Sequence, residues 1–169
     1  RLELKQPEYA QLREWSRQRE TLVADRTRLV NRMTGLFRRY YPQFLETGAV
    51  DTTLAAALFE LAPTPERAAH TQLQSIERVL REHRIRRISA DEVKAILERQ
   101  PLFVGAHLLD ALVAQVELAY EQLGLVDRQL AKCETQIAQI VTKLHQEQKK
   151  ATPEKPSDID IWMSIDGVG

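Results

Sequence analysis

The chain has 169 residues, 43% of them hydrophobic and 6% aromatic, and its 24 basic side chains balance 24 acidic ones. Zero net charge excludes a general polycation, so any charged partner must be read from where the charges lie. The one cysteine, Cys133, excludes an internal disulfide and fits a reducing cytoplasm, and no apolar run approaches the roughly 18 residues of a membrane span.

Glycine is sparse, and Ala, Leu, Gln, Glu and Arg dominate, which is the composition of long helices. Pro7 is well placed at the first position of a helix. No further proline interrupts until Pro42, which ends the segment. Trp15, Leu22, Leu29 and Leu36 recur every seven residues, with Leu12, Arg19, Arg26, Met33 and Tyr40 as the partner series. That is a heptad seam.

Gly48 and Asp51 mark a turn, and Thr53 to Leu61 reads as a short apolar helix. Thr64 as N-cap and Pro65 at the first position open another, expected to run to about Arg84. Ser89-Ala90-Asp91-Glu92 is a capping box whose helix should reach about Gln100 before Pro101. Leu109, Leu112, Val116, Ala119, Leu123, Val126, Leu130, Cys133, Ile137, Ile140 and Leu144 then alternate spacings of three and four. A period this regular demands a helical partner. The first helix could supply it, antiparallel within the chain, or a second chain could.

The expected fold is therefore all-α: a long antiparallel helical hairpin or coiled coil with short helices at one end. Residues 1–150 form the helical connecting domain and 151–158, with Pro153 and Pro156, a linker. Residues 159–169 read as the truncated start of another domain. Arg1 in place of Met, and an end at Gly169 inside a turn motif, suggest a piece of a longer protein.

Between Arg13 and Arg39 stand eight arginines and three acids. At 100° per residue, Arg13, Arg17, Arg28, Arg32 and Arg39 share an arc opposite the apolar seam. Such a row can track phosphates, or it can be a solvated face. Arg19 and Arg26 fall on the seam itself. They require a carboxylate, with Glu134, Glu121 or Asp127 as candidates, or else the seam opens there for nucleic acid or another domain. Arg84, Arg86 and Arg87, beside Arg81 and His83, either meet phosphate or complement a helix C-terminus.

His70, His83, His107 and His145 show no ligand spacing, so no metal site is expected. Cys133 is read as a small core side chain, and Asp158, Asp160 and Asp166 as solvated loop acids. No catalytic constellation is recognisable. Ser164-Ile165-Asp166-Gly167-Val168-Gly169 has the form of a helix-hairpin-helix turn, in which Gly167 and Gly169 would admit a DNA phosphate. The alternative is an ordinary glycine-rich turn.

Two blocks together resemble a known family. Arg19-x-x-Leu22-Val23-x-x-Arg26-Thr27-x-Leu29-x-Asn31-Arg32-Met33-x-x-Leu36, followed by Tyr41-Pro42, is similar to the helix after the nuclease domain of DEDD transposases of the insertion sequence one-ten family, relatives of the Piv invertase. Trp162 to Gly169 is similar to the opening of that family's C-terminal domain, with Asp166 where the family usually has Pro. The resemblance implies a bacterial, nucleoid-associated DNA transposase. Its four metal-binding acids, expected to hold Mg, would lie before Arg1, and its serine nucleophile after Gly169. Ser164 belongs to the turn and is not that serine. It further implies DNA and a structured guide RNA as partners, multimeric action, and a connecting role for this segment. The competing expectation is a coiled-coil oligomerisation module with no nucleic-acid role, joined to itself or another helix through the seam.

Overall fold

A computed structural model describes residues 7–99, 102 and 104–151, with side chains to residue 146. The elements in chain order are α1 (Pro7–Tyr40), a 3-10 helix (Pro42–Thr47), α2 (Thr53–Leu61), α3 (Pro65–His70), α4 (Leu73–Glu82), α5 (Ala90–Leu97) and α6 (Ala106–Ala151). No strand occurs among the described residues, and the all-α expectation holds. The segments read as linker and hairpin, with Gly167 and Gly169, lie outside the described residues apart from Ala151, which still belongs to α6.

The chain divides into two compact units, Arg1–Asp25 with Val126–Gly169, and Arg26–Leu125. In the first, α1 and α6 run antiparallel: Lys143 Nζ lies 2.6 Å from Glu8 and Arg19 Nε 3.3 Å from Glu134. The apolar period of α6 faces inward here, with Cys133, Ile140 and Leu144 buried and Val126, Leu130 and Ile137 half-buried. Leu22 is their buried counterpart on α1, and Leu12 and Trp15 are half-buried beside it. Arg19 stays on the rim of the seam, where its pair with Glu134 is solvent-screened and contributes little.

The second unit, Arg26–Leu125, holds the larger core. Met33, Leu36, Phe37 and Tyr40 of α1 meet Leu112, Val116, Ala119 and Leu123 of α6, with the middle helices packed around them. Phe37 stacks on Phe44 at 4.4 Å between ring centroids and meets Phe59 edge-on at 5.8 Å. It stands beside the heptad series rather than in it. Where α1 must face both α6 and the short helices, a two-position seam is too narrow, and the buried arc widens to take in Phe37.

Caps explain most boundaries. Thr52 and Thr64 accept hydrogen bonds from Ala55 N and Arg67 N at the starts of α2 and α3. At α5 the box is complete: the Glu92 carboxylate accepts from Ser89 N at 2.7 Å while Glu92 N donates to Ser89 Oγ at 3.2 Å. These bonds from the Ser89 backbone and hydroxyl hold the Glu92 carboxyl below its ordinary 4.5. A carboxylate with a lowered folded pKa gives its stabilisation fully above the unfolded value and loses it as pH falls through the folded one. Ser89→Ala should therefore flatten the acid limb of stability below about pH 4.5. An acid titration of helix content, variant against parent, tests this; superimposable limbs would show that the box does not stabilise α5.

Two expectations are corrected. The helix opened by Pro65 does not reach Arg84 but breaks at Thr71 and Gln72 into α3 and α4. Thr71 is extended, its hydroxyl donates back to Arg67 O at 2.8 Å, and Lys94 of α5 donates to the Thr71 carbonyl at 2.8 Å. Side-chain bonds thus satisfy the carbonyls that a continuing helix would have used. Likewise α5 ends at Leu97, short of Gln100.

Arg26 takes a partner that the heptad pattern did not offer. Its guanidinium pairs with Asp51 at 2.8 Å, and the side chains are 32% and 24% exposed. The turn at Gly48 brings Asp51 back against α1. Arg26→Gln, which leaves the half-buried carboxylate without its cation, should cost about 1–2 kcal/mol. Urea denaturation measures this, and a loss near zero would mean that water already screens the pair.

Candidate nucleic-acid interface

Arg13 and Arg17 belong to the first unit; Arg28, Arg32 and Arg39 belong to the second; all five are exposed. Arg17 pairs with Glu14 at 3.0 Å, two side chains about two-thirds exposed. Arg32 donates to the neutral amide oxygen of Gln122, which leaves its charge uncompensated. Among the described residues no hydrogen bond or ion pair holds Arg13 or Arg39. Gly35 falls on the same arc as Arg28, Arg32 and Arg39, and a Cβ there would meet nothing within 4 Å. Helix packing therefore does not require this glycine.

The loop arginines do not act as one cluster. α4 ends in a Schellman motif: Ile85 N donates to Leu80 O at 2.8 Å and Arg84 N to Arg81 O at 3.0 Å. That motif puts Arg84 in the left-handed region at φ 56°, a position usually given to glycine. Arg81, Arg84 and Arg86 line an open groove of about 750 Å³ with Leu80, Ile85, Ala90 and Glu77. Arg87 lines a different groove, of about 530 Å³, with Glu46, Glu92 and Arg99. There Arg99 pairs with Glu46 at 2.6 Å, and a Cβ on Gly48, at φ 146°, would lie 2.9 Å from Arg87 Nη2. Two cations face two anions in the Arg87 groove, whereas three cations face one anion in the other.

Nothing in the described residues resembles an active site. No group of three or more His, Cys, Asp and Glu side chains there could hold a metal ion. The hydroxyls of Tyr40 and Tyr120 are buried without a hydrogen-bond partner, and burial raises both phenols well above 10. They titrate too high for acid–base work near neutrality. No described helix is long and apolar enough to cross a membrane.

Sequence reasoning missed Asp51 as a partner of Arg26, and it missed the division of the loop arginines. The spacing of Arg84 two residues after Glu82, followed by apolar Ile85, is the signal that could have revealed the helix cap.

Comparison with known proteins points one way. Residues 1–42 match a transposase family model, that of DEDD enzymes of the insertion sequence one-ten type. The chain is 41% identical over 93 residues to a protein of Sinorhizobium fredii named "Putative transposase y4uE". That alignment covers 53% of this chain and 25% of the relative, so the chain spans about a quarter of the length of the curated relative it matches. No solved structure matches. The family match begins at Arg1 and ends within the Tyr41-Pro42 block, so it covers the helix whose residues carry the resemblance, and over that stretch the chain is similar to DEDD-type transposases of the insertion sequence one-ten family.

Proposed function

We propose that this segment connects and spaces the catalytic parts of a DNA transposase and touches nucleic acid, DNA or a structured guide RNA, through arginines of α1. The reading rests on one observation above all: Arg13, Arg17, Arg28, Arg32 and Arg39 are all exposed on α1, and the charges of Arg13, Arg32 and Arg39 meet no acid among the described residues. Exposed guanidinium groups of this kind release counterions from a nucleic acid when they meet its phosphates. Self-association, nucleoid association and a Mg requirement belong to the same proposal for the whole transposase. No described side chains form a metal site, so no metal step is assigned to this segment.

Fluorescence anisotropy of the full chain with duplex DNA and with structured RNA, across a salt series, tests the proposal. Affinity that falls steeply with salt supports it. Absence of binding to either ligand at low salt would leave α1 with a solvated face and the segment with assembly alone.

A further inference from the structure

We infer that the groove lined by Arg81, Arg84 and Arg86 is a binding site for an unpaired nucleotide of single-stranded nucleic acid. The inference rests on the nucleic-acid reading above and adds to it a second site of different selectivity. Three observations carry it. The lining pairs an apolar floor, Leu80, Ile85 and Ala90, with a rim of three guanidinium groups, and Glu77 is its only acid. At about 750 Å³ and open to solvent, the groove has room for a base together with its phosphate. Arg84 also occupies a left-handed backbone position, φ 56°, that glycine would fill without strain.

The chemistry selects the occupant. A duplex presents phosphates on a convex surface with its bases stacked inside, and it cannot reach an apolar floor. An extruded base can lie on Leu80 and Ile85 while its phosphate meets the arginine rim, the combination that single-strand binders use. The Glu77 carboxylate can accept a hydrogen bond from a base N–H, such as N3–H of uracil or thymine, whereas it would repel a phosphate. The groove containing Arg87 lacks this character, because Glu46 and Glu92 balance its cations.

The test compares the full chain with an Arg84→Gly/Arg86→Gln variant, binding oligouridylate RNA, oligothymidylate DNA and duplex DNA by anisotropy. The variant should lose about tenfold or more in affinity for single strands, as expected for lost charged hydrogen bonds, and little for the duplex. Loss on RNA alone or on both single strands supports the site and identifies its ligand. Arg84→Gly by itself should raise the thermal midpoint while weakening single-strand binding, since it relieves the left-handed strain and removes the guanidinium. A merely structural Arg84 would not separate the two readouts. Equal losses on duplex and single strand, or no loss at all, would overturn this inference and leave the α1 reading intact. Failure of the parent chain to bind any of the three ligands would overturn both.

Discussion

Phe37→Ala should lower the stability of the chain by about 3–5 kcal/mol, the cost of emptying a fully buried aromatic site that cannot collapse. Phe37 is 0% exposed, and its ring is stacked on Phe44, edge-on to Phe59 and near Tyr40. Those neighbours come from α1, the 3-10 helix and α2, so no single element can move in to fill the space. Leu29, half-buried on the seam, provides the comparison: truncating it removes less buried surface and should cost correspondingly less. Urea midpoints at unchanged slope measure both effects. A Phe37→Ala loss below that of Leu29→Ala would mean that the aromatic cluster is not the centre of the core.

The second large effect concerns the arginines of α1. Changing Arg13, Arg17, Arg28, Arg32 and Arg39 together to Gln should leave helix content nearly unchanged, because Gln and Arg have similar helix propensities and these side chains are exposed. Losing the exposed Arg17–Glu14 pair matters little for stability. Binding should respond far more. If each guanidinium meets one duplex phosphate, the logarithmic salt slope falls by about 4–5. Affinity at moderate salt then falls on the order of a hundredfold or more. A variant that binds as the parent does, with the same slope, would remove α1 from the interface and place binding elsewhere on the chain. A reduced slope only for Arg28, Arg32 and Arg39 would confine the interface to the Arg26–Leu125 unit.

Much of the fold is legible in the residues themselves. Pro7, Pro42, Thr64 with Pro65, and Ser89 with Glu92 mark helix ends through interactions that reach no further than one turn. The same holds for the apolar period from Leu109 to Leu144, which faces inward along its length, with every position buried or half-buried. The likeness to the transposase family is legible for another reason: the signature Leu22-Val23 through Leu36 lies in one continuous helix, within the residues that match the family model.

Contacts that depend on the path of the chain are not legible in this way. Arg26 needs an anion, and the local pattern offers three on α6. The fold adds Asp51, which no local pattern offers, because a 3-10 turn and Gly48 bring that residue back to α1. At Thr71 the local hydroxyl bond to Arg67 is joined by one that no local pattern shows, from Lys94, which arrives from α5 to take the carbonyl. Arg84, Arg86 and Arg87 are neighbours in sequence, yet the folded chain places them in two grooves of different charge balance. By itself, then, the sequence determined most of the helices, their caps, the buried seam and the likeness to the transposase family, since each is written in residues within a few turns of one another. Only the tertiary structure decided which partner each helix and each arginine took, because burial and distance set the energy of a long-range contact and both exist only once the chain has folded back on itself.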